Sequence, residues 1–118
     1  MLKAVRGAIQ VSCDNEDLIG EKTNELISTI IHENGIDQMD IVSIQFTQTS
    51  DLLSLNCAAG LRRYGFDRIP LFCAQEPACK DAMPRVIRTL VTCYVGRRKE
   101  VKHIYLGGAE QLRPDLAG

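Results

Sequence analysis

The sequence predicts an α+β domain: a five-stranded mixed sheet with two helices packed on one of its faces. Three observations lead there. The chain is 118 residues long, which gives room for one domain, spanning 1–118, and not two. Five segments read as extended, several with strict period-two alternation, and they are interrupted by two helical segments. The order is strand, helix, strand, helix, strand, strand, strand, and two helices suffice to cover only one face of such a sheet.

The first strand runs from Leu2 to Val11, with Val5, Gly7, Ile9 and Val11 on one face and Ala4, Arg6, Ala8 and Gln10 on the other. Asp14-Asn15-Glu16-Asp17 then supplies a helix N-cap and acids for the first turn. Ile19, Thr23, Leu26, Ile27, Ile30 and Ile31 recur at spacings of three and four, forming one apolar stripe that ends at Asn34-Gly35. The second strand places Val42, Ile44 and Phe46 opposite Ser43, Gln45 and Thr47. A shorter helix begins at Asn56 or Cys57 and closes at Gly65.

A third strand covers Ile69 to Gln75, with Pro70 near its start, and a proline-bracketed loop follows from Glu76 to Pro84. In the fourth strand, Arg85 to Val95, one face carries Val86, Arg88, Leu90 and Thr92; the other carries Ile87, Thr89, Val91 and Cys93. Arg97-Arg98-Lys99-Glu100 makes a polar turn, Lys102 to Leu106 a fifth strand, and residues 107–118 a tail with glycines at its start. Where both faces of the longer strands are apolar, the face without helices calls for a partner subunit.

Composition narrows the function. A formal net charge of −1 removes any whole-chain electrostatic case for nucleic acid or an anionic membrane. Without Trp, and with three Tyr and three Phe, a base-stacking platform is also disfavoured. The N-terminal residues lack the apolar core of a signal peptide, and no apolar run approaches a membrane span of ~20 residues. Five cysteines, an odd number with no CxxC spacing, argue against a disulfide framework or zinc site and for the reducing cytoplasm. His103 reads as a hydrogen-bonded structural histidine.

The arginines carry more information. Nine Arg outnumber five Lys, and Arg offers a planar fork suited to carboxylates and phosphates. Arg6 and Arg88 each interrupt an otherwise apolar or small-residue strand, where a guanidinium must reach solvent or meet a partner. The residues by themselves lead to a small α/β protein with an anion site, and Arg6, Arg88 and Glu76 are equally readable as structural charges.

Val5-Arg6-Gly7-Ala8, Gln75-Glu76, Val86-Ile87-Arg88, Lys102-His103-Ile104-Tyr105-Leu106 and Leu112-Arg113-Pro114-Asp115-Leu116 follow one another in this order. On these motifs the sequence resembles, almost end to end, the trimeric α/β class of chorismate mutase. The resemblance implies assembly as a pseudo-barrel homotrimer with active sites between subunits. It also implies a Claisen rearrangement of chorismate to prephenate in aromatic amino-acid biosynthesis, with no cofactor and no metal. The work is conformer selection and stabilisation of separating charge.

By the same resemblance, Arg88 is the central arginine that donates to the ether oxygen, and Arg6 holds a substrate carboxylate. Glu76 accepts from the ring hydroxyl and orients Arg6 or Arg88, and Cys73 contacts the same hydroxyl. Tyr105 hydrogen-bonds a carboxylate, while Arg62 and Arg113 steer or cover the substrate, the latter from the tail. Arg63 has no counterpart and reads as solvated. The sequence departs from the family at the start of the second helix. There the usual Phe, Pro, Ala is Asn56, Cys57, Ala58, and a lysine of some members is Ala59. Asn56 and Ala58 are expected at the substrate, with the change bearing on affinity more than on reaction type. The alternatives are a non-catalytic trimer binding a small dicarboxylate and an enamine deaminase of similar fold; the terminal Leu-Arg-Pro-Asp motif disfavours the latter.

Overall fold

The structure is a computed structural model describing residues 1–116. Strand β1 (Leu2–Gln10) leads into helix α1 (Glu16–Asn34), then β2 (Ile41–Gln48) and the short α2 (Cys57–Arg62). Strands β3 (Leu71–Gln75), β4 (Val86–Tyr94) and β5 (Ile104–Leu106) complete one sheet in the order β3-β2-β4-β1-β5. Central β4 runs antiparallel to both β2 and β1, while the outer pairs β2/β3 and β1/β5 are parallel. This is the five-stranded mixed sheet that the alternation predicted.

Both helices lie on one face. Ile19, Leu26, Ile27 and Ile30 of α1 are fully buried in a core shared with Val5, Ile9, Ile44, Ile87 and Val91. Leu61 and Cys57 bring α2 into the same core. Asn15 caps α1 by accepting from the Leu18 amide, and Gly35 ends it at φ 57°, the left-handed conformation glycine enters without strain. Asp14, also placed at the cap by sequence, instead accepts from the amides of Leu53 and Ser54, tying the helix entry to the loop before α2.

Several details differ from the sequence reading, and four of them have a local reason. Val42 is 41% exposed, not in the apolar row, because a register shift between Ile41 and Ser43 interrupts the β2 alternation. The third strand starts at Leu71: Pro70 has no amide to give the ladder, although its carbonyl accepts from Ile44. The first strand ends one residue early, at Gln10; beyond it Val11 donates to the Arg85 carbonyl and accepts from the Arg85 side chain. The fifth strand keeps only Ile104–Leu106, because side chains replace the ladder before it. Buried Asn34 donates to the Lys102 carbonyl and accepts its amide, and His103 Nδ1 accepts the Arg6 amide at 2.9 Å.

After β5, Gly107 and Gly108 turn the chain with positive φ, and a 3-10 turn at Ala109–Leu112 folds across the sheet's second face. There Ala109 buries Ala8 and Val86, with Tyr105 and Leu112 packed around them. The tail therefore covers one end of the face without helices. Its last two residues, 117 and 118, lie outside the described residues.

Candidate active site

Strand pairing fixes which side chains share the face opposite the helices. One row crosses the sheet as Ala74, Thr47, Arg88, Ala8 and Tyr105. The next row contains Phe72, Gln45, Leu90 and Arg6. Period-two geometry thus places Arg6 diagonally beside Arg88 on one surface, with small Ala8 leaving space between Arg88 and Tyr105.

Arg88 is the centre of this face. Its Nε lies 3.3 Å from Glu76 Oε2, and the other Glu76 oxygen accepts from the Thr47 hydroxyl. Glu76 continues β3 beyond its last strand residue, its amide donating to the Gln48 carbonyl at 2.8 Å, so the backbone delivers the carboxylate to Arg88. The Arg88 side chain keeps 44% exposure, which leaves the rest of its fork for a ligand. Beside it is a recess of about 330 Å³ lined by Gln45, Thr47, Phe72, Ala74, Arg88 and Leu90.

A second charged group gathers at β5. Tyr105, His103, Asp115 and Leu116 line a larger recess of about 700 Å³. Arg113 pairs with Asp115 through both carboxylate oxygens, at 3.1 and 2.9 Å. That pairing, with Arg6 nearby, holds the Asp115 carboxyl below its ordinary range. Burial, then the Arg6 and Arg113 guanidinium groups, lower His103 as well, so the ring stays neutral and accepts the Arg6 amide. As read from sequence, His103 is a hydrogen-bonded structural residue. It occupies the Arg6 amide just before the β1/β5 pairing begins at Gly7.

The remaining site residues lie elsewhere. Cys73 pairs with buried Phe46 in the β2/β3 register, so its thiol faces the helix layer, away from Arg88. With Asn56 and Gln48 it lines a recess of about 260 Å³ at the β3/α2 edge. Asn56 Oδ1 accepts from the amides of Ala58 and Ala59 and so caps α2. Ala58, by contrast, is 2% exposed and packs in the core, where its methyl supports the start of the helix. Arg62 is exposed in the last turn of α2; neighbouring Arg63 pairs with Glu16 at 3.0 Å on the surface. One chain therefore holds two separate groups: Arg6, Arg88, Glu76, Tyr105 and Arg113 on or beside the open face, and Cys73, Asn56 and Arg62 at the edge.

Sequence reasoning missed Thr47 and Gln48. Thr47 sat in the polar row of the second strand, but only the β2/β4 register shows that it stands beside Arg88. Gln48 joins the loop to α2: its Nε2 donates to Leu52 and Leu55, and its Oε1 accepts from the Cys57 amide. No pattern in one sequence marks such a long-range role.

Two guanidinium groups on one face, a carboxylate paired with one of them and a tyrosine in the same row form an arrangement that can hold a small dianion through fixed charge and hydrogen bonds. The chain belongs to the chorismate mutase type I family, whose model matches residues 2–116. The chorismate mutase AroH of Thermus thermophilus is 37% identical over 118 residues, covering 98% of this chain and 97% of that protein. The corresponding protein of Bacillus subtilis strain 168 is 32% identical over 119 residues, covering 99% and 94%. Among solved structures, a chorismate mutase from Clostridium thermocellum superposes with a TM-score of 0.87 at 33% identity, covering 92% of this chain and 98% of that one.

Proposed function

We propose that this chain is an isomerase that rearranges chorismate to prephenate by fixed electrostatics, in pockets completed by neighbouring subunits of a homotrimer in the cytoplasm. The observation that carries the reading is the Arg88–Glu76 pair on an open sheet face, with Arg6 diagonal to it. Family membership over residues 2–116 carries the reaction class.

In the rearrangement the ether C–O bond breaks while a C–C bond forms across the ring, and no atom leaves or enters. Negative charge grows on the ether oxygen in the transition state. Arg88 donates to that oxygen and gains strength as the charge develops, which lowers the barrier. Glu76 holds the Arg88 fork in direction and accepts from the ring hydroxyl. Arg6 and Tyr105 bind substrate carboxylate, selecting the compact conformer in which the reacting carbons meet. No residue must change protonation during the step, so the pH–rate profile is broad near neutrality.

The edge group of Cys73, Asn56 and Arg62 reaches such a substrate only from a second copy of the chain. Support for that assembly comes from the face without helices, where Phe72 is 64% exposed and Leu90 only partly covered. From the neighbouring subunit Cys73 contacts the ring hydroxyl, Arg62 steers the dianion, and Asn56 offers its remaining amide donors in place of an aromatic wall. Arg113 exchanges Asp115 for substrate as the tail closes. A non-catalytic dicarboxylate-binding trimer is not favoured, given the family match and the complete charged centre.

Loss of chorismate absorbance with purified protein, confirmed by prephenate detection, tests the activity; no acceleration over buffer at micromolar protein contradicts it. Light scattering tests the assembly, with three times the 13.1 kDa chain mass expected and a stable monomer contradicting it.

A further inference from the structure

Cys57 and Cys73 are both free thiols, and their sulfurs lie 3.6 Å apart, in van der Waals contact. Cys57 is the first residue of α2 and fully buried; Cys73, on edge strand β3, is partly exposed in the recess with Asn56. Gln48 holds both in place: its Oε1 accepts from the Cys57 amide at 2.8 Å and stands 3.5 Å from the Cys73 sulfur. The sulfurs need only a small further approach to reach the ~2.05 Å of a disulfide. Strand β3 is paired on one side only, leaving it freer to make that movement than a central strand.

The two thiols are not equivalent. Contact with the Cys57 thiol, aided by the amides of Cys57 and Ala58, lowers Cys73 to about 7 against the opposing effect of burial. Cys57 is pushed far up, first by its contact with Cys73 and then by burial. The accessible sulfur is thus also the more acidic of the two, and the thiolate is the form that attacks disulfides.

We propose that Cys57 and Cys73 are a modification site for low-molecular-weight disulfides, forming a reversible internal disulfide that turns the enzyme down. Cys73 thiolate attacks one sulfur of the small disulfide, whose S–S bond breaks and releases one thiolate, protonated by solvent. Cys57 gives its proton to solvent and attacks the Cys73 sulfur of the mixed disulfide, releasing the second small thiol. Two protein thiols lose two electrons and two protons, and the small disulfide gains both as two thiols. Excess thiol reverses the sequence. Bond formation is independent of the catalytic reading; its effect on turnover rests on that reading, in which Cys73 contacts the ring hydroxyl.

The test uses full-length protein in which the exposed Cys13 and Cys79 are replaced by serine, so that only the contact pair and buried Cys93 remain. After 2-hydroxyethyl disulfide treatment, non-reducing peptide mapping is expected to find a Cys57–Cys73 link and a chain lighter by two hydrogens. Chorismate turnover should fall about tenfold or more in step with the link, the effect of one lost hydrogen bond, and return with dithiothreitol. Cys57→Ala and Cys57→Ser, with folding checked by circular dichroism, should keep the turnover of the reduced parent. Each should stop at a mixed disulfide on Cys73, formed more slowly because the Cys57 thiol no longer favours the thiolate. A parent that also stops there, or a parent whose Cys73 stays unmodified, overturns the proposed pair. A full link with unchanged turnover overturns the regulation. If the link forms but the reduced protein never turns over chorismate, the mutase reading fails and the modification site stands.

Discussion

Arg88 Nε and Glu76 Oε2 meet at 3.3 Å although the two residues arrive from different elements, one in central β4 and one just past the end of edge strand β3. With side-chain exposures of 44% and 23%, the pair contributes little to stability, and its value is directional. Glu76→Gln should therefore leave the thermal midpoint nearly unchanged while lowering kcat/KM by about 10–10²-fold, the range of a weakened charge-assisted hydrogen bond. Thr47→Val, which frees the other carboxylate oxygen, should show a smaller loss of the same kind. Steady-state kinetics beside thermal melts checks both; unchanged kcat/KM in Glu76→Gln contradicts the orienting role.

His103 predicts a stability change on the acid side. Its folded value lies below the ordinary 6.5, because burial and two guanidinium groups favour the neutral ring. As pH falls the unfolded chain takes up this proton first. The contribution is therefore complete above the ordinary value and is lost as pH falls through the folded one. His103→Asn keeps an acceptor for the Arg6 amide without titrating. Melting curves between roughly pH 8 and pH 5 should slope less for His103→Asn than for the parent. Equal slopes would show that His103 does not titrate with folding.

Asn34 links helix to strand. At 2% exposure it satisfies the carbonyl of Ile30 and both backbone groups of Lys102. Asn34→Ala leaves buried or half-buried polar groups without partners and should cost about 2–4 kcal/mol in urea unfolding. Because β5 then loses its anchor, KM for chorismate should rise through Tyr105. A change below about 0.5 kcal/mol would count against this link.

The crossing of α1 and α2 makes two glycines unequal. A Cβ on Gly60 would lie 2.8 Å from Leu55 Cδ2 and 3.1 Å from the Gly20 backbone, so Gly60→Ala should destabilise by about 1–3 kcal/mol. A Cβ on Gly20 meets nothing closer than 3.7 Å. Gly20→Ala should be neutral or stabilising by up to about 1 kcal/mol, from helix propensity alone. Thermal melts of the two variants check the contrast, and equal shifts contradict it.

The sequence made much of this fold legible because its apolar periods are clean. The stripe from Ile19 to Ile30 and the alternation around Arg88 leave few other ways to bury the same residues. Arg6 and Arg88 stood out as charges in apolar strands, and the strand register brings them onto one face. What stayed hidden depends on contacts distant in sequence. The bulge exposes Val42; Asn34 and His103 displace the ladder at β5; Thr47 and Gln48 take their roles from partners on other elements. Ala58 was placed at the substrate through its motif neighbours, and its burial follows from the way α2 packs on the sheet.

The most direct test of the central claim is kcat/KM for conversion of chorismate to prephenate by the parent, Arg88→Ala and Arg88→Lys. Clear acceleration by the parent is expected, with a loss of at least ~10²–10³-fold in Arg88→Ala, comparable to removing an oxyanion-hole donor. Arg88→Lys should also be impaired, since an ammonium supplies charge without the fork. A folded Arg88→Ala protein with parental kcat/KM would contradict the assignment of Arg88 as the group that stabilises the breaking ether bond.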